Sequence, residues 1–206
     1  MRLYFVRHGE SEANILQVIS NRGRVHGLTE QGRQQASGLA EELRDVKVKQ
    51  IYSSPLLRAH QTAEILSHAL GAPIEITDAL REFDCGIAEG RADEGAWNLH
   101  RGVVREWLEN KNWDARIDQG ESFNDMRNRF LPFIDRVIKE HTLADNLVFV
   151  MHGAVAFCML PLVLINIDRS FIENHWIKNA QYALAETTPN GLVGISWFGL
   201  SVENKS

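Results

Sequence analysis

The chain has 206 residues, with 22 basic and 27 acidic side chains and a formal net charge of −5. That length fits one domain with a core that needs no disulfides. The acidic balance excludes general nucleic-acid binding, which requires a basic face. Cys85 and Cys158 show no metal-ligand spacing and read as reduced thiols of a cytoplasmic protein.

Leu3-Tyr4-Phe5-Val6 is an unbroken run of aromatic and branched residues, which predicts a buried strand. It delivers Arg7-His8-Gly9-Glu10 onto a glycine turn, at the edge where open α/β sheets bind ligands. Only four apolar residues separate Arg2 from Arg7, too few for a signal peptide. The polar stretch 9–27 predicts a loop with a helical turn. Thr29 can cap a helix whose apolar stripe is Ala36, Leu39, Ala40 and Leu43. Gln50 to Ser53 predicts a short strand. Ser54-Pro55 then predicts a helix start, with a capping hydroxyl and Pro at the first position. Ala59, Ala63, Leu66 and Leu70 form its buried stripe, and Gly71 and Pro73 end it.

Ile74 to Ile76 predicts a further strand. Residues 91–112 carry Trp97, Val104, Trp107 and Leu108 at helical spacing, and 91–120 is expected to cap the pocket. Ser122 opens a helix with Phe123, Met126, Phe130, Phe133 and Val137 on one side and Pro132 inside it. The segment 147–167 is long and apolar enough to raise the question of a membrane span. His152-Gly153 and Pro161 interrupt it, so a strand, a tight turn and a buried helix are expected instead. Pro189-Asn190-Gly191 predicts a turn between strands 182–187 and 192–198. Strands alternating with helices predict a three-layer α/β/α sandwich whose central sheet is mostly parallel with an antiparallel edge. No repeat or linker divides the chain, so 1–206 is expected to be a single domain.

Two strands therefore end in His-Gly, at His8-Gly9 and His152-Gly153. Two imidazoles and an arginine suit a phosphate better than a core. Phosphate-ester hydrolysis needs a nucleophile, cations for the phosphoryl oxygens and a proton for the leaving oxygen. His8 is the candidate nucleophile, because a neutral imidazole is available near pH 7. Arg7 and Arg58 carry the paired donors that match phosphate. The Gly9 and Gly153 amides are candidate further donors.

These residues lie in segments that resemble the histidine phosphatase superfamily, the phosphoglycerate-mutase-like fold. Arg7-His8-Gly9-Glu10-Ser11-Glu12-Ala13-Asn14 resembles that family's Arg-His-Gly-Glu-Thr/Ser-x-x-Asn signature. Residues 28–36 resemble its Leu-Thr-x-x-Gly-x-x-Gln-Ala segment, and 53–63 its Ser-Ser-x-x-x-Arg-Ala-x-Gln-Thr-Ala segment. Residues 80–86 are similar to its Leu-x-Glu-x-x-x-Gly acid loop, Gly120-Glu121-Ser122 to its Gly-Glu-Ser helix start, and His152-Gly153 to its second His-Gly. The matches fall in the family's order from Arg7 to Gly153.

The resemblance implies that His8 becomes phosphorylated and that Arg7, Arg58 and His152 line the phosphate pocket, with Asn14 and Gly153 assisting. It implies that Glu82 donates a proton to the leaving group and then assists water, which requires a raised carboxyl pKa. Glu89 and Asp84 are Glu82's rivals in the same loop. The family uses no metal, and no cofactor is expected for this chain. The partner implied is a small phosphorylated metabolite, with no nucleic acid and no membrane; a homodimer is left open. The segment 15–27 and the acid loop lack the patterns of the glycolytic mutases. A phosphatase is therefore expected first, a cofactor-dependent phosphoglycerate mutase second. A non-catalytic phosphoryl- or protein-binding module on the same fold is the alternative of another class. The other histidines, 60, 68, 100, 141 and 175, are expected at the surface or in packing, with His26 in a loop near the substrate. The Trp97, Trp107 and Trp113 group is expected to pack. Arg22 and Arg24 are expected to be solvated.

Overall fold

A computed structural model describes residues 1–175 and 177–202. In chain order the first half forms β1 (Arg2–Arg7), α1 (Glu12–Leu16), α2 (Glu30–Glu42), β2 (Val48–Ser53), α3 (Leu57–Leu70) and β3 (Ile74–Ile76). The second half forms α4 (Glu94–Leu108), α5 (Phe123–Glu140), β4 (Asn146–Met151), α6 (Gly153–Met159), α7 (Arg169–Glu173), β5 (Tyr182–Thr188), β6 (Gly191–Trp197) and β7 (Leu200–Ser201). The sheet runs β3-β2-β4-β1-β5-β6-β7. Strands β3, β2, β4 and β1 are parallel; β5, β6 and β7 continue antiparallel. This is the mixed α/β architecture expected from the sequence.

The unbroken apolar runs of β1 and β4 follow from burial on both faces. Side chains alternate across a strand. Leu3, Phe5, Leu147, Phe149 and Met151 join one core with α4, α5 and α6. Tyr4, Val6, Val148 and Val150 join a second core with α2 and α3. The α2 stripe is buried as expected, and Thr29 accepts the Gly32 N–H as its cap. Helix α5 runs unbroken through Pro132 and buries the predicted Phe123, Met126, Phe130, Phe133 and Val137.

Segment 147–167 divides into β4, α6 and a short 3-10 turn. Among the described residues, no helix is long and apolar enough to cross a membrane. The helix after β2 begins at Leu57, not at Ser54-Pro55, and its N-cap is Leu56 without a side-chain cap. The reason is that the Ser54 hydroxyl is engaged elsewhere. It contacts Nε2 of His152 at 2.7 Å and accepts the Leu56 N–H at 3.3 Å, which keeps 54–56 out of the helix.

Parallel pairing sets Arg7 opposite Met151 at the carboxyl ends of β1 and β4, and the His8 N–H donates to Met151 O at 3.0 Å. The two His-Gly turns therefore open side by side. The first turn also packs against the start of α2 with no room for a side chain. A Cβ on Gly32 would lie 1.9 Å from the Glu10 carbonyl oxygen, and one on Gly9 2.4 Å from that of Gly32. Gly32→Ala should cost about 2 kcal/mol through forced backbone movement. Thermal unfolding should show a Tm drop of about 5 °C; an unchanged Tm would show that this contact relaxes freely.

Candidate active site

Three strand ends supply the site. β1 delivers Arg7 and His8, β4 delivers His152, and β2 leads through Ser54 into α3, whose first turn carries Arg58. His8, Arg58, Glu82 and His152 are all buried, at 3, 6, 8 and 1% exposure. A cavity of about 200 Å³ is lined by Arg7, His8, Asn14, Arg58, Glu82 and Gly153, with apolar residues nearer its rim. His152 stands behind this wall, its ring 5.0 Å from that of His8.

The tautomer of His8 follows from its neighbours. Nδ1 lies 2.6 Å from the Gly9 carbonyl oxygen, which can only accept, so Nδ1 carries the hydrogen. Nε2 is then the bare nitrogen, and the Arg58 Nε–H donates to it at 3.1 Å. Burial, then Arg58 and Arg7, hold the His8 pKa well below the ordinary imidazole value. Burial and the nearby cations do the same to His152. Both rings are neutral at pH 7, and His8 presents an unprotonated Nε2.

Arg58 is fixed on three sides. Besides the imidazole, it donates to the Ser20 carbonyl at 2.7 Å and to Asn21 Oδ1 at 3.3 Å. All three acceptors are neutral. Among the described residues no carboxylate forms an ion pair with Arg58. Burial lowers its pKa to about 10, so it stays charged at neutrality. A buried cation held only by neutral acceptors marks a place where an anion is stabilised. Arg7 adds a second cation and is anchored by Nη1 on the Ile177 carbonyl at 2.5 Å.

Glu82 accepts N–H bonds from Ala154 at 2.8 Å, Val155 at 2.9 Å and Phe83 at 3.0 Å. Burial raises its pKa, and these amides together with Arg58 work against the rise. A phosphate dianion in the cavity would add like charge and favour protonation further. The two rival carboxylates are turned away. Glu89 accepts the Asn21 and Arg22 amides, and Asp84 pairs with Arg22 Nε at 2.8 Å. Arg22 is exposed, as expected, and holds Asp84 by this ion pair.

Asn14 Oδ1 accepts from the Ser11 N–H and hydroxyl, both at 3.0 Å, so only its amide NH2 is left to offer a ligand. The Gly9 amide, expected as a phosphate donor, is corrected: it donates to Thr62 Oγ1 at 3.1 Å. Gly153 opens α6 and remains in the cavity lining. His26 contacts Ser20 Oγ at 2.8 Å, behind the loop that holds Arg58. Among the described residues, no group of three or more His, Cys, Asp or Glu side chains is placed to hold a metal ion.

A family model described as the histidine phosphatase superfamily (branch 1) matches residues 3–198. The chain belongs to that superfamily. It is 33% identical over 166 residues to a Proteus mirabilis protein named "Probable phosphoglycerate mutase GpmB", covering 80% of this chain and 75% of that one. The alpha-ribazole phosphatase of Shigella flexneri superposes with a TM-score of 0.78 at 24% identity, over 99% of this chain and all of that one. The mycobacterial glucosyl-3-phosphoglycerate phosphatase gives 0.77 at 22% identity, over 95% and 98% of the two chains. These last two likenesses establish the histidine phosphatase fold.

Sequence reasoning missed several residues that hold this histidine phosphatase site in place. Ser54 orients His152, and Thr62 links the Gly9 amide to the Arg58 carbonyl. Both sit inside the 53–63 segment that carried the resemblance. Ser20 and Asn21 lie in a loop with no local signal. Trp97 and His100, expected only to pack, line the cavity as well.

Imidazole NMR should find His8 and His152 neutral in the ligand-free protein through pH 6.5, the ordinary imidazole value, with protonation only on further acidification. A midpoint at or above that value for His8 would contradict the site's electrostatics.

Proposed function

We propose that the protein is a phosphomonoester hydrolase that works through a phosphohistidine at His8 on a small phosphorylated metabolite. The observation that carries this reading is a neutral, buried His8 whose bare Nε2 faces Arg58 in the same cavity as Glu82. The phosphate oxygens take the N–H groups of Arg58, Arg7 and Asn14, and Arg58 Nε turns from His8 to the anion. The Nε2 lone pair forms a bond to phosphorus as the ester P–O bond breaks. Glu82 gives its proton to the departing oxygen. The phosphoryl-imidazole keeps its Nδ1–H on the Gly9 carbonyl, which accepts more strongly as the ring gains positive charge. Water then attacks phosphorus, Glu82 takes its proton, the P–N bond breaks and phosphate leaves. His152, neutral and anchored by Ser54, supports His8 from behind.

The phosphatase names among the structural neighbours agree with this reading. The mutase reading is carried by the names of relatives such as the Proteus mirabilis protein. Exchange of phosphate between phosphoglycerate isomers that depends on a bisphosphate would favour the mutase.

His8→Ala should lower turnover of p-nitrophenyl phosphate by about a thousandfold or more while leaving the fold intact. Rapid quench with 32P-labelled ester should place acid-labile label on His8. Retained turnover in this variant would overturn the assignment. Glu82→Gln should cost alkyl phosphates about a hundredfold and nitrophenyl phosphate far less, because nitrophenolate leaves without a proton. Equal losses for both esters would remove Glu82 from the proton-donor role.

A further inference from the structure

A neighbouring cavity adjoins the catalytic one. A second cavity of about 370 Å³ shares Ala13, Asn14, Val18 and Trp97 with it and extends to Gln17 and Arg101. The shared residues place the two cavities side by side in a trough between α1 and α4. Its two ends differ in chemistry. The inner end holds Arg7, His8, Arg58 and Glu82. The middle is walled by Ala13, Val18, Ile19, Trp97 and His100. The outer end carries Arg101.

The middle section is fixed in shape. Trp97 Nε1–H donates to the Gln17 carbonyl at 2.8 Å, which ties α4 to the end of α1. The ring of His100 lies 5.2 Å from that of Trp97 and 5.0 Å from that of Phe83, which packs edge-on to the buried Trp107. An aromatic chain thus runs from the core to the trough. Burial and Arg101 lower the His100 pKa to about 4, so this ring adds no charge near neutrality. His100 and Arg101 stand three and four positions after Trp97, so all three share one face of α4. Arg101 projects about 6 Å farther along the helix than Trp97. Its guanidinium bonds the neutral Asn98 Oδ1 at 2.8 Å, and among the described residues no carboxylate lies within ion-pair distance of it.

Resting on the phosphomonoester reading, we infer that Trp97, His100 and Arg101 select the leaving group: the site takes phosphomonoesters of a flat, largely apolar alcohol that bears a second anionic group at its far end. The ester phosphate sits on His8 and Arg58. The flat portion lies against Trp97 and His100. The distal anion, a carboxylate or a second phosphate, pairs with Arg101.

Non-hydrolysable phosphonates test this without depending on turnover. Calorimetric affinities are compared for methylphosphonate, benzylphosphonate and 4-carboxybenzylphosphonate, with orthophosphate as the reference. The ring should improve affinity about tenfold over methylphosphonate, the scale of an aromatic contact. The carboxylate should add about three- to fivefold, the scale of an exposed ion pair. Arg101→Gln should erase the carboxylate's advantage. Trp97→Ala should erase the ring's advantage, with orthophosphate affinity moving far less. Trp97→Phe keeps an aromatic face and should keep the preference. Equal affinity of methyl- and benzylphosphonate would overturn the proposal. So would a carboxylate advantage that survives Arg101→Gln, or a Trp97→Ala loss that is equal for orthophosphate. Selective phosphonate binding without hydrolysis of the matching esters would instead overturn the phosphatase reading, and with it the leaving-group role, while keeping the binding preference of Trp97 and Arg101.

Discussion

The site depends on a single hydrogen bond, from His8 Nδ1–H to the carbonyl of the next residue. It decides which ring nitrogen is bare. The carbonyl can accept the bond because the glycine turn runs tight against the start of α2, where the Gly9–Gly32 approach leaves no space for a side chain. A packing constraint at the start of α2 thereby bears on which ring nitrogen is bare. Burial, reinforced by the neighbouring cations, then keeps the ring from protonating, so position and protonation state are set by different parts of the fold.

Arg58 is itself in a strained electrostatic position. Arg58 is buried against a carbonyl, an amide oxygen and an imidazole, none of which neutralises it. Desolvating a charge without a counter-ion is costly, and the rigid core and hydrogen-bond frame sustain it. On the proposed reading, the same imbalance would give a phosphate dianion a large share of its binding energy. Glu82 completes the arrangement from the opposite direction. Its burial favours the neutral acid, while three backbone amides keep the carboxylate accessible, as a group that must give and then take a proton requires.

Much of this was legible in the residues because it rests on local rules. The apolar runs at 3–6 and 147–151 had to be doubly buried strands, and the glycines after His8 and His152 had to be turns at their ends. The α2 cap and stripe, and the α5 stripe, followed from spacing alone. The start of α3 was misjudged because Ser54-Pro55 satisfies the local rule for a helix start. A long-range partner, His152, claims the hydroxyl instead. Asn21 and Ser20 were invisible for the same kind of reason. Their contribution lies in where the loop between α1 and α2 crosses Arg58, which no local pattern encodes. Trp97 and His100 read as packing residues, and they do pack; burial on one side and exposure to a cavity on the other look alike in sequence.

The contact between Arg58 Nε and His8 Nε2 has one more consequence. The guanidinium caps the bare nitrogen of the proposed nucleophile. A neutral electrophile that drifts into the pocket meets a masked lone pair. On the proposed reading, an anion would draw the guanidinium to itself and in doing so uncover the nitrogen. On the proposed reading, recognition and unmasking are thus one movement of one side chain, which would shield His8 from chemistry that its proper ligand has not licensed.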